Sequence, residues 1–271
     1  MPNAVRNGDK GPDVALVQER LNLHGFPCVP DGRFGSKTEA LVMHFQQTKG
    51  LSKDGVVATT TWEALLQNPV ALGKAPPHPL PEVLKTILSL GHKVMWEGDY
   101  HLNLFGIRNL NASVNSFDDT LGCAYTVNGL WRVNYWPGTT DPGTYWLKNP
   151  ENVKGTAILV PGQYMNTWKI GLHGGKYEAL TQQAGKVKVY RDSNKDAVLD
   201  KDPSTIMEGY LGINLHRSSA TGESTQVDKW SAGCQVHARI DGFNEMMALA
   251  HKQVEALGID TFTYTLMESK Y

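Results

Sequence analysis

Cysteine is scarce in this sequence. Its 271 residues include three cysteines, Cys28, Cys123 and Cys234, and no Cys-x-x-Cys pair. An odd and widely spaced set argues against a disulfide framework and against a four-cysteine zinc site. At least one thiol therefore stays free, and we expect Cys28 and Cys123 to pack as small buried hydrophobic side chains.

The chain also lacks an excess of charge of either sign and any long hydrophobic run. Its 26 Lys and Arg residues are balanced by 27 Asp and Glu residues, so no basic field favours a nucleic acid or an anionic membrane as partner. The N-terminus has no basic segment followed by an apolar run, and no stretch approaches the ~20 apolar residues of a membrane-spanning helix. We therefore expect synthesis in the cytoplasm without a signal peptide, and no membrane insertion.

Proline, in contrast, is concentrated in one segment. Residues 69–81 contain five prolines in thirteen positions, which removes backbone donors and disfavours regular helix or sheet. The sequence therefore predicts a stiff linker at 69–81. This linker separates a first domain at 1–68 from a second domain at 82–271.

Helical spacing dominates the first domain. Apolar residues recur every three or four positions over 12–25, which predicts a first helix. Ser36 and Thr60 each stand three residues before a glutamate, the spacing of a capping box, so two more helices are predicted. The expected core of this three-helix domain is Val14, Val17, Leu21, Leu41, Phe45, Leu51, Trp62 and Leu65.

Short β-rich runs separated by glycine, proline and asparagine make up most of the second domain. One helix is predicted at 82–95 and another at 243–257. The fold class is therefore α+β, with a mainly β core in the second domain. The predicted strands are 124–127, 130–135, 156–160, 186–190, 211–215 and 261–266.

Ser231-Ala232-Gly233-Cys234 is the clearest chemical motif of the chain. A cysteine nucleophile acts as its thiolate and needs a base within hydrogen-bond reach. His216 is the leading candidate, because it ends a predicted strand and a polar loop between the two residues can fold back across a cleft. Gly233 leaves room for an incoming carbonyl, its N–H and that of Cys234 could stabilise an oxyanion, and Ser231 could add a hydroxyl donor.

Other interpretations of these residues stay open. A cysteine that follows a glycine is commonly just buried. His173, in a His-Gly-Gly segment, competes as the base or as a substrate-binding group, although a hydrogen-bonded structural histidine is more common. His237 is close to Cys234 in sequence but can point elsewhere. A zinc site of His173, His216 and Cys234 has no His-Glu-x-x-His or other short-spaced ligand pair to support it.

A second candidate site follows the predicted strand at 186–190. Oxygen-bearing side chains occupy positions one, three, five and nine of a calcium-type loop, although the glycine at six and the glutamate at twelve are missing. Clusters of Asp and Asn also cap turns, so a structural turn is the alternative. No cofactor is otherwise expected. The candidate ligands are Asp192, Asn194, Asp196 and Asp200.

Several short motifs of the first domain resemble the three-helix peptidoglycan-binding domain of cell-wall enzymes. This resemblance spans residues 5–66 and implies that bacterial peptidoglycan is the partner. Helical spacing alone would predict only a small bundle. The motifs are Gly11-Pro12-Asp13-Val14, Gln18-Glu19-Arg20-Leu21, Asp31-Gly32-Arg33-Phe34-Gly35, Phe45-Gln46, Gly50-Leu51, Asp54-Gly55-Val56 and Thr61-Trp62.

The second domain resembles the L,D-transpeptidase catalytic domain in its Ser-x-Gly-Cys motif and in the turn at 139–145. The resemblance implies that Cys234 is the acylated nucleophile, His216 its base, and Ser231 with Gly233 the supporting loop. Two departures affect substrate anchoring. Arg217 replaces the glycine that follows the histidine in that family, and Val236 stands where the family has an arginine.

A carboxylate of the peptide still needs a cationic partner, and Arg217 or Arg239 is the candidate for that role, although a solvated surface arginine is the more frequent case. An aromatic group could line a groove for glycan or peptide, while part of it must belong to the core. Its members are Trp131, Tyr135, Trp136, Tyr145, Trp146 and Trp168.

Together these features predict a peptidoglycan hydrolase of endolysin type, expected to be monomeric, that cleaves a stem-peptide or cross-link bond through a cysteine thioester. It would act on the cell wall after release or delivery by a dedicated machine. An amine instead of water could resolve the thioester, which would make the protein an L,D-transpeptidase. A binding or structural protein with an inactive catalytic fold is the third alternative.

Overall fold

The structure, a computed structural model, describes residues 2–24, 26, 28–67, 76, 77, 79–111 and 113–269. The chain divides into two compact units. The first comprises Met1–Leu80 with Trp96–Asp99 and Thr126–Trp131, and the second comprises the rest. Residues 69–75 and 78 of the predicted linker lie outside the described residues, so the predicted domain boundaries stay a prediction.

Three helices form the first unit: α1 (Pro12–Leu23), α2 (Ser36–Thr48) and α3 (Thr59–Leu66). Six of the eight predicted core residues are fully buried, whereas Leu41 and Leu51 are only partly buried. The capping-box prediction is wrong. Ser36 and Thr60 are already helical, and Gly35 and Ala58, which precede the two helices, make no side-chain cap. The core members that the helical pattern missed are Val5, Phe34, Val42 and Val57.

Two buried glutamines hold the turns between these helices. The Gln18 side-chain amide donates to Asp31 Oδ1 at 2.8 Å and accepts from the Gly32 N–H at 2.9 Å. Gln46 repeats the arrangement, donating to Asp54 at 2.7 Å and accepting from the Gly55 N–H at 2.9 Å. Because a buried amide must satisfy its hydrogen bonds, each glutamine fixes one Asp-Gly turn.

The second unit combines a closed eight-stranded barrel with a separate three-stranded sheet, which confirms the α+β class and the mainly β core. The elements are α4 (Glu82–Ser89), β1 (Asn103–Asn109), β2 (Asp119–Val127), β3 (Leu130–Thr139), α5 (Thr144–Lys148), β4 (Thr156–Leu159), β5 (Gly162–His173), β6 (Tyr177–Gln182), β7 (Val187–Asp192), β8 (Met207–Gly209), β9 (Leu215–Arg217), β10 (Gln235–His237), α6 (Ile240–Leu257) and β11 (Phe262–Ser269). The barrel order is β1-β11-β5-β6-β9-β10-β3-β2, and the other sheet has the order β4-β7-β8.

One predicted strand is mostly absent. Residues 211–214 are not extended into the sheet, and β9 covers only Leu215–Arg217. Gly212 has a φ of 73°, and the N–H groups of Leu211 and Ile213 both donate to Gln182 Oε1, at 2.9 and 3.1 Å. A side chain therefore replaces the neighbouring strand as the partner of this backbone, which leaves the segment free to form one wall of a cavity.

In the described part of the chain, no helix has both the length and the apolar character needed to cross a membrane.

Candidate active site

Cys234 lies at the end of a loop, immediately before strand β10. Strand β10 runs parallel to β9 with Gln235 beside Leu215, and the Gln235 N–H donates to Asn214 O at 2.9 Å. This register brings the thiol next to Asn214, whose backbone N–H points at Sγ at 3.4 Å. The sheet thus fixes the position of the nucleophile relative to β9, the strand that carries His216.

Gly233 is required by the geometry of this loop. Its φ of 122° is strained for any residue with a side chain, and a Cβ there would lie 2.5 Å from the Ala157 carbonyl oxygen. Ser231 Oγ accepts from the Gly233 N–H at 3.1 Å and donates to the Cys234 carbonyl at 2.8 Å. Ser231 is fully buried, so the idea that its hydroxyl and the Gly233 N–H face the substrate is wrong. Both instead brace the loop.

The turn at 139–145 is hydrogen-bonded to the same loop. The Gly143 N–H donates to Ser231 O at 2.9 Å, and Asp119 accepts from the Thr140 N–H and hydroxyl at 2.6 and 2.8 Å. Arg108, which is fully buried, donates to Thr140 O at 3.0 Å. Burial raises the pKa of Asp119 to about 6, and the nearby Asp141 adds to this shift. The Ser-x-Gly-Cys loop therefore sits on a buried polar network.

His216 is buried on β9, with its ring held by a backbone carbonyl. Its Nδ1 lies 2.7 Å from Arg217 O. A carbonyl oxygen only accepts hydrogen bonds, so Nδ1 carries the proton and Nε2 keeps its lone pair. Tyr177 OH lies 3.4 Å from the same Nδ1 and donates to Arg217 O at 3.3 Å. The imidazole is therefore fixed in the tautomer that a general base needs.

His173, at the end of β5, stacks on His216. The ring centroids are 4.0 Å apart and the planes differ by 20°. The Asn214 side chain connects this pair to the backbone: its Oδ1 accepts from the Gln182 N–H at 2.9 Å, so its Nδ2 donates to His173 Nδ1 at 3.0 Å. Sequence reasoning missed Asn214. Strand alternation does not account for it, because Asn214 precedes β9 and its side chain is oriented by a long-range contact with the Gln182 N–H.

Burial keeps both reacting groups neutral. It raises the pKa of the Cys234 thiol to about 11, a shift that the Asn214 N–H opposes and that Glu151 reinforces. It also lowers the pKa of His216 to about 3, a shift that His173 reinforces and that the hydrogen bond to the Arg217 carbonyl opposes. The resting pair is therefore a thiol and a neutral imidazole, and the proton must move as the sulfur attacks.

These groups line one cavity of about 520 Å³. Its wall also carries Trp146, Trp230, Glu151, Lys229 and Arg191. Sequence reasoning proposed Trp146 for this role and missed the other four.

Neither arginine proposed as a substrate anchor is found among the lining residues of this cavity. The Arg217 guanidinium stacks on the Tyr177 ring at 4.1 Å. Arg239 is bound to Asp241, with Nη2 at 2.6 Å from Oδ2. Val236 is fully buried, so this position does not present a side chain to substrate either. The predicted anchors are corrected accordingly, because stacking and an ion pair already hold both guanidinium groups.

Of the other predicted aromatic residues in the second unit, Trp136 and Trp168 are buried core members, whereas Tyr135 and Tyr145 are exposed.

The predicted calcium loop closes on itself. Asn194 Nδ2 donates to Asp196 at 2.9 Å and to Asp200 at 2.5 Å, and the Asp200 N–H donates to Asp192 Oδ2 at 3.1 Å. Within the described ranges, no three His, Cys, Asp or Glu side chains are arranged to hold a metal ion. The calcium site stays a prediction.

Comparison with known proteins identifies the first unit. Residues 10–65 match the family described as "Putative peptidoglycan binding domain". A peptidoglycan-binding protein from Clostridioides difficile is 40% identical over 23% of this chain and 40% of its own length, with a TM-score of 0.23. The SleB N-terminal domain is 33% identical over 24% of this chain and 92% of its own length, with a TM-score of 0.24. The resemblance expected for the N-terminal motifs is confirmed.

A further solved structure matches along most of the chain at low identity. The L,D-transpeptidase from Xylanimonas cellulosilytica DSM 15894 is 15% identical over 98% of each chain, with a TM-score of 0.22. This chain spans less than half the length of the C. difficile protein, and the family match is confined to the first unit.

Proposed function

Because residues 10–65 belong to the peptidoglycan-binding domain family, we propose that this protein is a cell-wall hydrolase in which Cys234 attacks a peptide carbonyl of bacterial peptidoglycan. One observation carries the proposal: the Cys234 thiol and the neutral His216, with its free Nε2, line the same cavity. In a chain that also carries a wall-binding unit, this pair is suited to peptide acyl transfer.

The first step forms a thioester. His216 Nε2 accepts the thiol proton as Sγ bonds to the carbonyl carbon, and the carbonyl oxygen takes the negative charge. When the tetrahedral intermediate collapses, the C–N bond breaks and the imidazolium returns the proton to the leaving amine. The products of this step are an acyl-Cys234 and a free amine.

Water completes the reaction. His216 Nε2 accepts one proton from the water as the oxygen attacks the thioester carbon, and when the C–S bond breaks the imidazolium returns that proton to the sulfur. The carboxylic acid that forms loses its proton to solvent, so the products are the free thiol of Cys234 and a carboxylate. These steps need no metal ion or organic cofactor. The Cys234 N–H is the proposed oxyanion donor, since the Gly233 N–H is engaged by Ser231 and a donor near the nucleophile stabilises the developing charge.

The two units serve the same substrate. A unit that holds peptidoglycan raises the local concentration of peptide bonds for the second unit on the same chain.

The test is to incubate the protein with purified peptidoglycan and to read muropeptide masses. We expect products that gain one water at a peptide bond, and an acyl adduct on Cys234 in trapped protein. Cys234→Ala should abolish both, while Cys28→Ala, which removes a cysteine of the first unit, should retain them.

Full hydrolysis by Cys234→Ala would disprove the thiol mechanism. Amine exchange without water addition would instead identify a transpeptidase. Unchanged peptidoglycan with all variants would show that the chain binds the wall without cleaving it.

A further inference from the structure

Arg191 is a cation of the cavity wall with few partners of its own. It lies near the end of β7 and lines the same cavity as Cys234. Its Nη1 donates to Gly155 O at 3.0 Å. Among the described residues no carboxylate lies within ion-pair distance of this guanidinium, and its Nε is buried without a hydrogen-bond partner. Four of its five N–H groups are therefore without an acceptor in the part of the protein that the structure describes.

The fold connects Arg191 to the nucleophile loop through one residue. Arg191 pairs with Ala157 across the antiparallel strands β7 and β4. The Ala157 carbonyl is the group that a Cβ on Gly233 would strike, and Gly233 directly precedes Cys234. Since paired residues of adjacent strands lie about 5 Å apart, the sheet holds Arg191 within the reach of a short peptide bound at Cys234.

Holding a guanidinium in this way is unfavourable in the free protein. The Arg191 Nε is buried without a hydrogen-bond partner, and an unpaired buried N–H loses its hydrogen bonds to water. A carboxylate would restore them, because the planar fork of arginine fits two carboxylate oxygens at once. The other cation of the wall is less suited, since Lys229 is exposed and its ammonium lies over the Tyr145 ring at 4.3 Å.

We propose that Arg191 binds a carboxylate of the peptide whose carbonyl Cys234 attacks. This inference rests on the proposed function and names the substrate group that it left open. It assigns to β7 the anchoring role that sequence reasoning gave to Arg217 and Arg239. Glu151, on the same wall, would repel a misplaced carboxylate and so restrict it to the Arg191 end of the cavity.

The test compares three synthetic stem peptides. One has all carboxylates free, the second has its terminal carboxylate converted to a carboxamide, and the third has its side-chain carboxylate converted. Binding is measured by calorimetry with full-length Cys234→Ala protein, so that no reaction interferes. We expect one of the two carboxamides to bind about 10- to 100-fold more weakly than the free peptide, the range for a charge-assisted hydrogen bond.

Variants then assign this preference to Arg191. In Cys234→Ala protein that also carries Arg191→Gln, the free peptide and that carboxamide should bind equally well. Arg191→Lys should keep part of the preference, because it retains the charge but not the two-pronged geometry. The matched control is Arg239→Gln, which removes a guanidinium already paired with Asp241 and should keep the full preference.

Two results would overturn the inference: equal binding of all three peptides to the Cys234→Ala protein, or an undiminished preference after Arg191→Gln in a variant whose melting temperature is unchanged. Failure of the proposed function looks different. In that case the carboxylate preference and its loss in Arg191→Gln would remain, while the protein with Cys234 intact would form no acyl adduct with any of the peptides.

Discussion

Asn214 connects the two histidines to the nucleophile, although it has no reacting atom. Its backbone N–H contacts Cys234 Sγ, and its side chain holds His173 through Nδ1. A hydrogen bond to Nδ1 leaves the proton of a neutral His173 on Nε2. The stacked rings of His173 and His216 are thereby both neutral, one with Nε2 as a donor and the other with Nε2 as an acceptor. A proton donor beside a proton acceptor suits the proposed reaction, in which His216 takes the thiol proton and later returns it to the leaving amine.

The thiol of Cys234 should react slowly with alkylating agents at neutral pH. Its pKa is raised to about 11, so roughly one molecule in ten thousand is a thiolate at pH 7. We expect the iodoacetamide rate constant to rise about tenfold per pH unit and to level off only near pH 11. Mass spectrometry of the Cys234 peptide measures this rate separately from those of Cys28 and Cys123.

Glu151 provides the control for this profile. Because its charge contributes to the raised pKa of Cys234, Glu151→Gln should make alkylation faster at every pH below the plateau. A profile that levels off below pH 8 would reveal a preformed thiolate and imidazolium pair, and would contradict the neutral resting state.

At the scale of elements, the nucleophile loop depends on the contact between Gly233 and β4. Gly233→Ala would place a Cβ 2.5 Å from the Ala157 carbonyl, and backbone cannot yield as a side-chain end can. We expect an activity loss of at least about 100-fold, since small displacements of a reacting group have effects of this size. The rate of muropeptide release measures the loss of activity, and the rate of Cys234 alkylation shows whether the reacting thiol is affected as well.

Gly222→Ala is the matched control for Gly233→Ala. Gly222 also has a positive φ, 69°, but no atom lies within 4 Å of a Cβ placed there. Gly222→Ala should therefore reduce stability slightly through backbone strain while leaving the rate of muropeptide release unchanged. Equal losses in the two variants would show that the dihedral angle, and not the contact with Ala157, is the cause.

The calcium prediction concerns the loop that follows β7. Asp192 Oδ1 is buried without a hydrogen-bond partner, and burial raises the pKa of this carboxyl, so a bound cation would relieve both. If calcium binds, an excess of 100 times its Kd should stabilise the fold by about 2.7 kcal/mol, which calorimetry would detect as a melting point higher by several degrees. Asp192→Asn should remove the effect, and an exposed substitution, Asp260→Asn, should not. A melting point that is the same with calcium and with chelator would refute the prediction of a calcium site.

Sequence patterns predicted the elements whose information is local. The helices of the first unit follow their apolar spacing, and α6 begins within three residues of its expected start. Strands β5 and β6 were not predicted, because their polar residues alternate weakly and their pairing is a long-range property. The same limit applies to the site: Cys234 and His216 were found by residue type, whereas Arg191 joins them only through the register of β4 and β7.

At the scale of the whole molecule, acid stability should depend on buried histidines. Burial lowers the pKa of both His216 and His237 to about 3, whereas an unfolded histidine has a pKa near 6.5. Between these values the unfolded chain binds more protons, so stability is complete above pH 6.5 and is lost as the pH falls toward 3. The raised pKa of Asp119, about 6, acts in the opposite sense between about pH 3.8 and 6.

Taken alone, these three groups make the free energy of unfolding fall by about 1.4 kcal/mol per pH unit from pH 6 to pH 4. The lowered pKa values of His24 and His173 add to this fall, and the raised pKa of Asp192 opposes it. Urea unfolding at a series of pH values measures this slope. His237 offers a test outside the catalytic pair, since it is fully buried against Met246, with Nε2 at 3.3 Å from the sulfur. His237→Leu should remove one proton from the balance and so reduce the slope by about 1.4 kcal/mol per pH unit, whereas His44→Gln, at an exposed position, should leave it as it is. A slope that His237→Leu does not change would mean that other groups, and not the buried imidazoles, set the acid limit of the fold.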